Sequence, residues 1–290
     1  MRKLATLFIL LVALTAGLYT QRVAVLEWYR EASTPTLPEP VTYEEVVVEE
    51  VEEGEKVDEV EKVEEVGEEE KGGEVGEVDE GEKKEEEEIV DESKEESTLP
   101  ASINLAVPFT SQAPHGNWDE PYQEACEEAS VYMVHAYFSG MDEGQIPAST
   151  ADEALLQIVE FEMKLFGEYK DTTAEKTGVF AELLFGHTYQ VLQSPTVEDI
   201  QRKLVQGHPV ILPAAGRLLG NPYFTAPGPI YHMLVIRGYT QDGQFIVNDP
   251  GTYRGEAYLY DFDTIMSAMH DWNDGEEITE GGKAVLILSP

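Results

Sequence analysis

The sequence predicts an α+β domain over residues 99–290, with helices in its first half and an antiparallel sheet in its second. Three observations predict it. Helical apolar spacing dominates residues 131–166, whereas short apolar runs separated by turn residues dominate 209–288. Composition also changes abruptly at Leu99-Pro100, where a carboxylate-rich stretch gives way to a mixed sequence long enough for one cored domain. Helices first and strands afterwards, in a mostly sequential set, is the pattern of segregated layers.

Taken in order, the chain starts Met1-Arg2-Lys3 and continues as an uncharged run over residues 4–21. Two basic residues ahead of an apolar run is the charge order of an export signal. Ala24, Val25, Leu26 and Trp28 can extend the run past Arg22, so residues 1–30 read as a membrane anchor or a signal peptide, with the rest of the chain extracytoplasmic. Residues 31–98 read as a disordered tether, first Pro- and Thr-rich and then acidic. Residues 41–98 hold 28 acidic and 6 basic side chains and no aromatic after Tyr43. Such a stretch buries too little apolar surface to offset chain entropy, and self-repulsion extends it.

Within the domain, the spacing predicts helices over 131–138 and 154–166, the latter through Leu155, Ile158, Val159, Met163 and Phe166. Thr196 reads as the N-cap of a helix holding Ile200 and Leu204. Strands follow at 209–212, 233–236, 245–247, 257–260 and 284–288, with a helix over 264–272 between the last two. The second and third strands are joined by Thr240-Gln241-Asp242-Gly243, which predicts a hairpin.

Charge and cysteine content exclude whole classes. The chain carries 58 acidic and 19 basic residues, net −39, and a polyanion lacks the Lys and Arg needed to displace counterions from phosphates. Nucleic acid is therefore not a partner. One cysteine, Cys126, leaves no disulfide scaffold and no cysteine-rich zinc site. The Gly-x-Ser-x-Gly, Gly-Lys-Ser/Thr, Gly-x-Gly-x-x-Gly and His-Glu-x-x-His signatures are missing too. Residues 271–275 resemble a calcium loop only faintly and read as a helix C-terminus and turn.

Three residues in order can carry chemistry. Cys126 falls at or near a helix N-terminus, where unpaired N–H groups favour a thiolate. His232 stands where a Gly-, Pro- and aromatic-rich loop, 216–229, runs into an apolar strand, a good place for a base. Asn248-Asp249 ends the next strand of the hairpin, so an amide or carboxylate should lie beside the imidazole and fix its tautomer. His115, His135, His187, His208 and His270 are mostly structural on this reading.

The order Cys, His, Asp/Asn, helix before sheet, is similar to papain-like cysteine peptidases. Val107-Pro108-Phe109-Thr110-Ser111-Gln112, the Cys126 segment, Tyr231 to Tyr239 and Val247-Asn248-Asp249-Pro250 more closely resemble the bacterial relatives of the bacteriocin-processing, double-glycine leader peptidases, the peptidase C39-like family, over about residues 103–289. The resemblance implies Cys126 as nucleophile, His232 as general base and then acid, Asp249 as orienter and Gln112 as oxyanion donor, with Gln123 its rival. It implies no cofactor and a peptide or protein substrate. Many relatives carry Cys-Gly-Pro where this chain has Cys126-Glu127-Glu128. Two carboxylates by themselves oppose a thiolate, although they suit a helix N-terminus. A peptidase is the first expectation. An acyl- or amide-transferring relative, or a non-catalytic domain binding peptides or wall fragments, are the alternatives.

Overall fold

The computed structural model describes residues 36–48, 99–274 and 277–290. The expected anchor over 1–30 and the acidic residues 49–98 lie outside these. No helix among the described residues is long and apolar enough to cross a membrane.

Among the described residues from 99 onward, five helices precede or flank one antiparallel sheet of seven strands, an α+β architecture. The helices are α1 (Cys126–Phe138), α2 (Ala148–Leu165), α3 (Ala174–Phe185), α4 (Val197–Val205) and α5 (Phe262–Ala268). The strands are β1 (Ile103–Asn104), β2 (Thr188–Gln193), β3 (Val210–Ala215), β4 (Tyr231–Tyr239), β5 (Gln244–Asn248), β6 (Tyr258–Asp261) and β7 (Ala284–Ser289). Their spatial order is β2-β7-β3-β4-β5-β6, with β1 added on β4. All nine residues of β4 and all six of β3 are buried, so the two central strands read as continuous apolar runs rather than alternating ones. Gly238 permits β1 to cross there, since a Cβ at that position would fall 2.2 Å from the Ile103 carbonyl oxygen.

α1 is buried almost all round and packs on β4, which places its first residue against the middle of the sheet. The hairpin of β4 and β5 forms as expected, with a bulge between Ile236 and Gly238. Thr196 caps α4 in a full capping box with Asp199, and Ile200 and Leu204 are its buried pair. Other expectations shift. α1 and α2 start earlier than the spacing predicts, and α5 stops at Ala268. In α2 the buried stripe is Ala151, Leu155, Ile158 and Glu162, while Met163 is exposed. α3 and β2 carry no strong sequence period; α3 is set by the Thr173 cap, whose side chain accepts from the Lys176 N–H.

The tether boundary at Leu99 needs a correction. Val41 bridges Leu105, its N–H donating to the Asn104 carbonyl at 2.8 Å and its carbonyl accepting from Ala106 at 2.7 Å. Residues 43–48 turn helically after Thr42, Val46 is buried, and the Tyr43 ring meets Phe138 edge-on at 5.1 Å. Residues 41–48 are therefore a strap belonging to the domain. Three apolar side chains outweighed the acidic composition around them.

Candidate active site

The imidazole of His232 sits at the start of β4, opposite Ala214 of β3. Its Nε2 lies 2.8 Å from Asp249 Oδ1, at the turn that closes β5, and both side chains are buried. With the proton on Nε2 donated to that oxygen, Nδ1 is the basic nitrogen. Asp249 is itself held on all sides. Its Oδ2 accepts from Tyr260 Oη at 2.7 Å and Asn221 Nδ2 at 3.0 Å, and Oδ1 accepts from the Gly251 N–H at 3.0 Å. Burial alone would raise the Asp249 carboxyl, but the neighbouring His232 and these hydrogen bonds outweigh it and hold it below the ordinary carboxylate value. Gly251 is required for this closeness, because a Cβ there would come within 3.0 Å of His232 Cε1. Phe224 closes the other side of the ring, edge-on at 5.4 Å.

Asn248 faces away from the imidazole. Its amide nitrogen donates to the carbonyls of Val107 and Pro108, and its oxygen accepts from the Ala257 N–H. Of the two residues ending β5, only Asp249 touches the histidine. Asn248 instead ties β5 to the strand-like segment leading to Gln112.

Gln112 is buried beside that turn, with its backbone N–H on the Pro250 carbonyl at 3.0 Å. Its side-chain Nε2 donates to the carbonyls of both Tyr122 and Gln123, each at 3.0 Å, which fixes the loop that presents Cys126. The side chain of Gln123 points outward to Glu124. The loop between them carries Trp118, whose ring meets Tyr253 edge-on, and the Tyr253 hydroxyl holds the Ala113 carbonyl at 3.1 Å.

Cys126 is the first residue of α1, whose start has no side-chain cap. Its sulfur is nearly buried and donates to Glu127 Oε2 at 3.0 Å. Among the described residues no hydrogen bond joins it to His232; the contact with β4 is to the backbone of Met233, the next residue along. Burial, then the Glu127 charge, push the thiol well above its ordinary value, while the Met233 backbone works the other way. Glu127 Oε1 accepts from the Thr172 N–H at 3.0 Å, and the Thr172 carbonyl accepts from the Tyr231 hydroxyl at 2.8 Å. A hydrogen-bonded path thus runs from the sulfur to the residue just before His232.

Two more carboxyls lie behind Glu127. Glu128 and Glu162 are fully buried, facing each other from α1 and α2, and as carboxylates neither has a donor. Burial first, and the Glu127 charge second, push Glu162 up to about 9; burial first, and the Glu162 charge second, push Glu128 well above the ordinary range; burial pushes Glu127 up to about 8. Burial thus favours the protonated form of each. The pair Glu127-Glu128 is visible in the sequence, but its burial is not. Glu162 could have been suspected, as it completes the α2 stripe. Asn221 and Tyr260 carried no sequence signal beyond their place in a loop and a strand.

A cavity of about 300 Å³ opens beside His232, lined by residues of the 216–228 loop including Gly216, Asn221 and Phe224. Four of the other histidines make local contacts: His135 with His187 at 3.0 Å, His208 with the Leu288 carbonyl and His270 with the Gly281 carbonyl. No group of three or more metal-binding side chains occurs among the described residues.

Comparison with known sequences identifies the family of the domain that carries these residues. Residues 104–276, more than half of the chain, match the peptidase C39-like family. The chain belongs to this family. A crystal structure from Bacillus anthracis, described as a C39-like peptidase, aligns with a TM-score of 0.44 at 15% identity, covering 65% of this chain and 98% of that one. No curated protein matches the chain. Its family and its α+β architecture make this a cysteine-peptidase-like domain.

Proposed function

We propose that the domain is an extracytoplasmic cysteine peptidase, held at the membrane by the N-terminal segment and acting on peptides or proteins. The observation that carries this reading is the buried His232–Asp249 bond, with Nδ1 left basic on the strand that meets Cys126. The Cys126 proton passes to Nδ1, the sulfur attacks the scissile carbonyl, and an S–C bond forms as the carbonyl becomes an oxyanion. The N–H of Cys126, at the uncapped helix start, is one oxyanion donor. The Gln112 amide is the second once one of its N–H groups turns from the Tyr122 or Gln123 carbonyl. Collapse breaks the C–N bond, and His232 returns the proton to the leaving amine. Water then hydrolyses the thioester with His232 as base.

A non-catalytic peptide- or wall-binding domain is the rival reading, and it draws on the buried thiol bonded to Glu127. Hydrolysis of a mixed peptide library separates the two: Cys126→Ala and His232→Ala should each abolish cleavage. Cleavage retained in Cys126→Ala would remove Cys126 as the nucleophile, and no cleavage by the unmodified protein with peptides still bound would favour the rival.

A further inference from the structure

The peptidase reading needs a thiolate at Cys126, yet the side chain in contact with that sulfur is a carboxyl. Glu127 is held in one geometry from both ends, by the Thr172 N–H on Oε1 and the sulfur on Oε2. The groups that face it are Cys126 and Glu128 on its own helix, Glu162 on α2, Asp171 beside Thr172 in the connection from α2 to α3, and Tyr231 on β4. None of these is a cation. An ionised Glu127 here would have only backbone donors, its own N–H and that of Thr172, no counter-ion among the described residues, and an anionic sulfur 3.0 Å away. Two like charges at that distance in a buried site exclude each other.

Given Cys126 as nucleophile, we propose that Glu127 acts in its protonated form as the hydrogen-bond donor to the Cys126 thiolate. The nucleophile is then available only while that carboxyl keeps its proton. When the thiol proton moves to His232 Nδ1, the Glu127 O–H turns to the sulfur, so the anion gains a donor and meets no neighbouring charge. Glu128 and Glu162 contribute by keeping the surroundings hostile to a second negative charge. When Glu127 ionises, its charge drives the proton back onto sulfur. Glu127 is thus a positioning and tuning residue, acting through Cys126. The carboxylates after the cysteine oppose the thiolate only in the ionised form that burial disfavours.

The inverted pH response is the test. An ordinary thiol alkylates faster as pH rises, because the thiolate fraction grows. With iodoacetamide the Cys126 sulfur forms an S–C bond while the C–I bond breaks and iodide leaves with its electron pair. The leaving group takes no proton, so the rate does not report His232 as an acid. On the full-length chain the rate should fall above about pH 8, roughly tenfold per pH unit. Glu127→Gln keeps an N–H donor that cannot ionise and should lose this fall. Glu127→Ala removes the donor and should slow alkylation at neutral pH about tenfold.

A wild-type rate that climbs through pH 9 to 10, roughly as for a free thiol, overturns the proposal. So does the same alkaline fall in Glu127→Gln. The wild-type profile decides alone should that variant fail to fold. A climbing profile in a protein whose peptide cleavage needs Cys126 removes the role of Glu127 and leaves the peptidase reading. A falling profile without any cleavage does the reverse.

Discussion

His232 and Asp249 on the sheet, and Cys126 with Glu127, Glu128 and Glu162 on the helices, are buried to similar degrees, yet their polar atoms are met very differently. Both oxygens of Asp249 are bonded, by His232, Gly251, Tyr260 and Asn221, and its charge is stabilised where it stands. Glu128 and Glu162 find no donor, so they survive burial by giving up their charge. One half of the site tolerates an anion because backbone and side-chain donors were assembled around it. The other tolerates carboxyls because burial favours their uncharged form. Burial alone does not set the state of a carboxyl; the count of donors aimed at it does.

Breaking the sheet half should give the largest effect. Asp249→Ala should lower kcat about 100-fold or more with little change in KM, since it frees the imidazole to rotate and choose its tautomer. Asn248→Ala should instead lower the melting temperature, because its bonds run to Val107, Pro108 and Ala257. If Asn248→Ala proved the more damaging to turnover at equal folding, the division drawn between the two residues is wrong.

On the helix half the effect should be on stability. Glu162 has a folded value of about 9, raised above that of the unfolded chain. Its contribution is therefore fully present below about pH 4.3, the unfolded value, and is lost as pH rises toward 9. The domain should melt at progressively lower temperature across that window. Glu162→Gln, which cannot ionise, should flatten the trend and raise the melting temperature most at pH 8, with a gain near pH 5 several-fold smaller. Calorimetry across pH checks this, and parallel curves for the two proteins would contradict it.

The smallest effect sharpens the comparison within the sheet half. Asn221→Ala removes one of four bonds to Asp249 and should cost about tenfold in kcat/KM, or ~1.4 kcal/mol. Tyr260→Phe, which removes another donor to the same oxygen, should cost a similar amount, read in the same steady-state assay.

Much of this was legible in the sequence because local signals agreed with the fold. Thr196 capped its helix, the turn at 240–243 made its hairpin, and Cys126, His232 and Asp249 fell on a helix, on a strand and at the end of the neighbouring strand. What escaped depended on contacts distant in sequence. Glu162 looks like a polar residue on an amphipathic helix until α1 covers it. Asn221 looks like loop sequence until it reaches Asp249, 28 positions away. α3 and β2 lack a strong period because both are covered only in part. The 41–48 strap was missed because composition averages over a window, whereas Val41, Tyr43 and Val46 act singly.

That strap changes how the acidic stretch must be viewed as a polymer. The described residues on either side of 49–98, up to Val48 and from Leu99 onward, belong to one body. The length of 49–98 then adds nothing to the span between the N-terminal residues and the domain. A single nick between 49 and 98 would turn residues 41–48 into a bound peptide, released or retained by dilution, and everything N-terminal to the cut would leave with it.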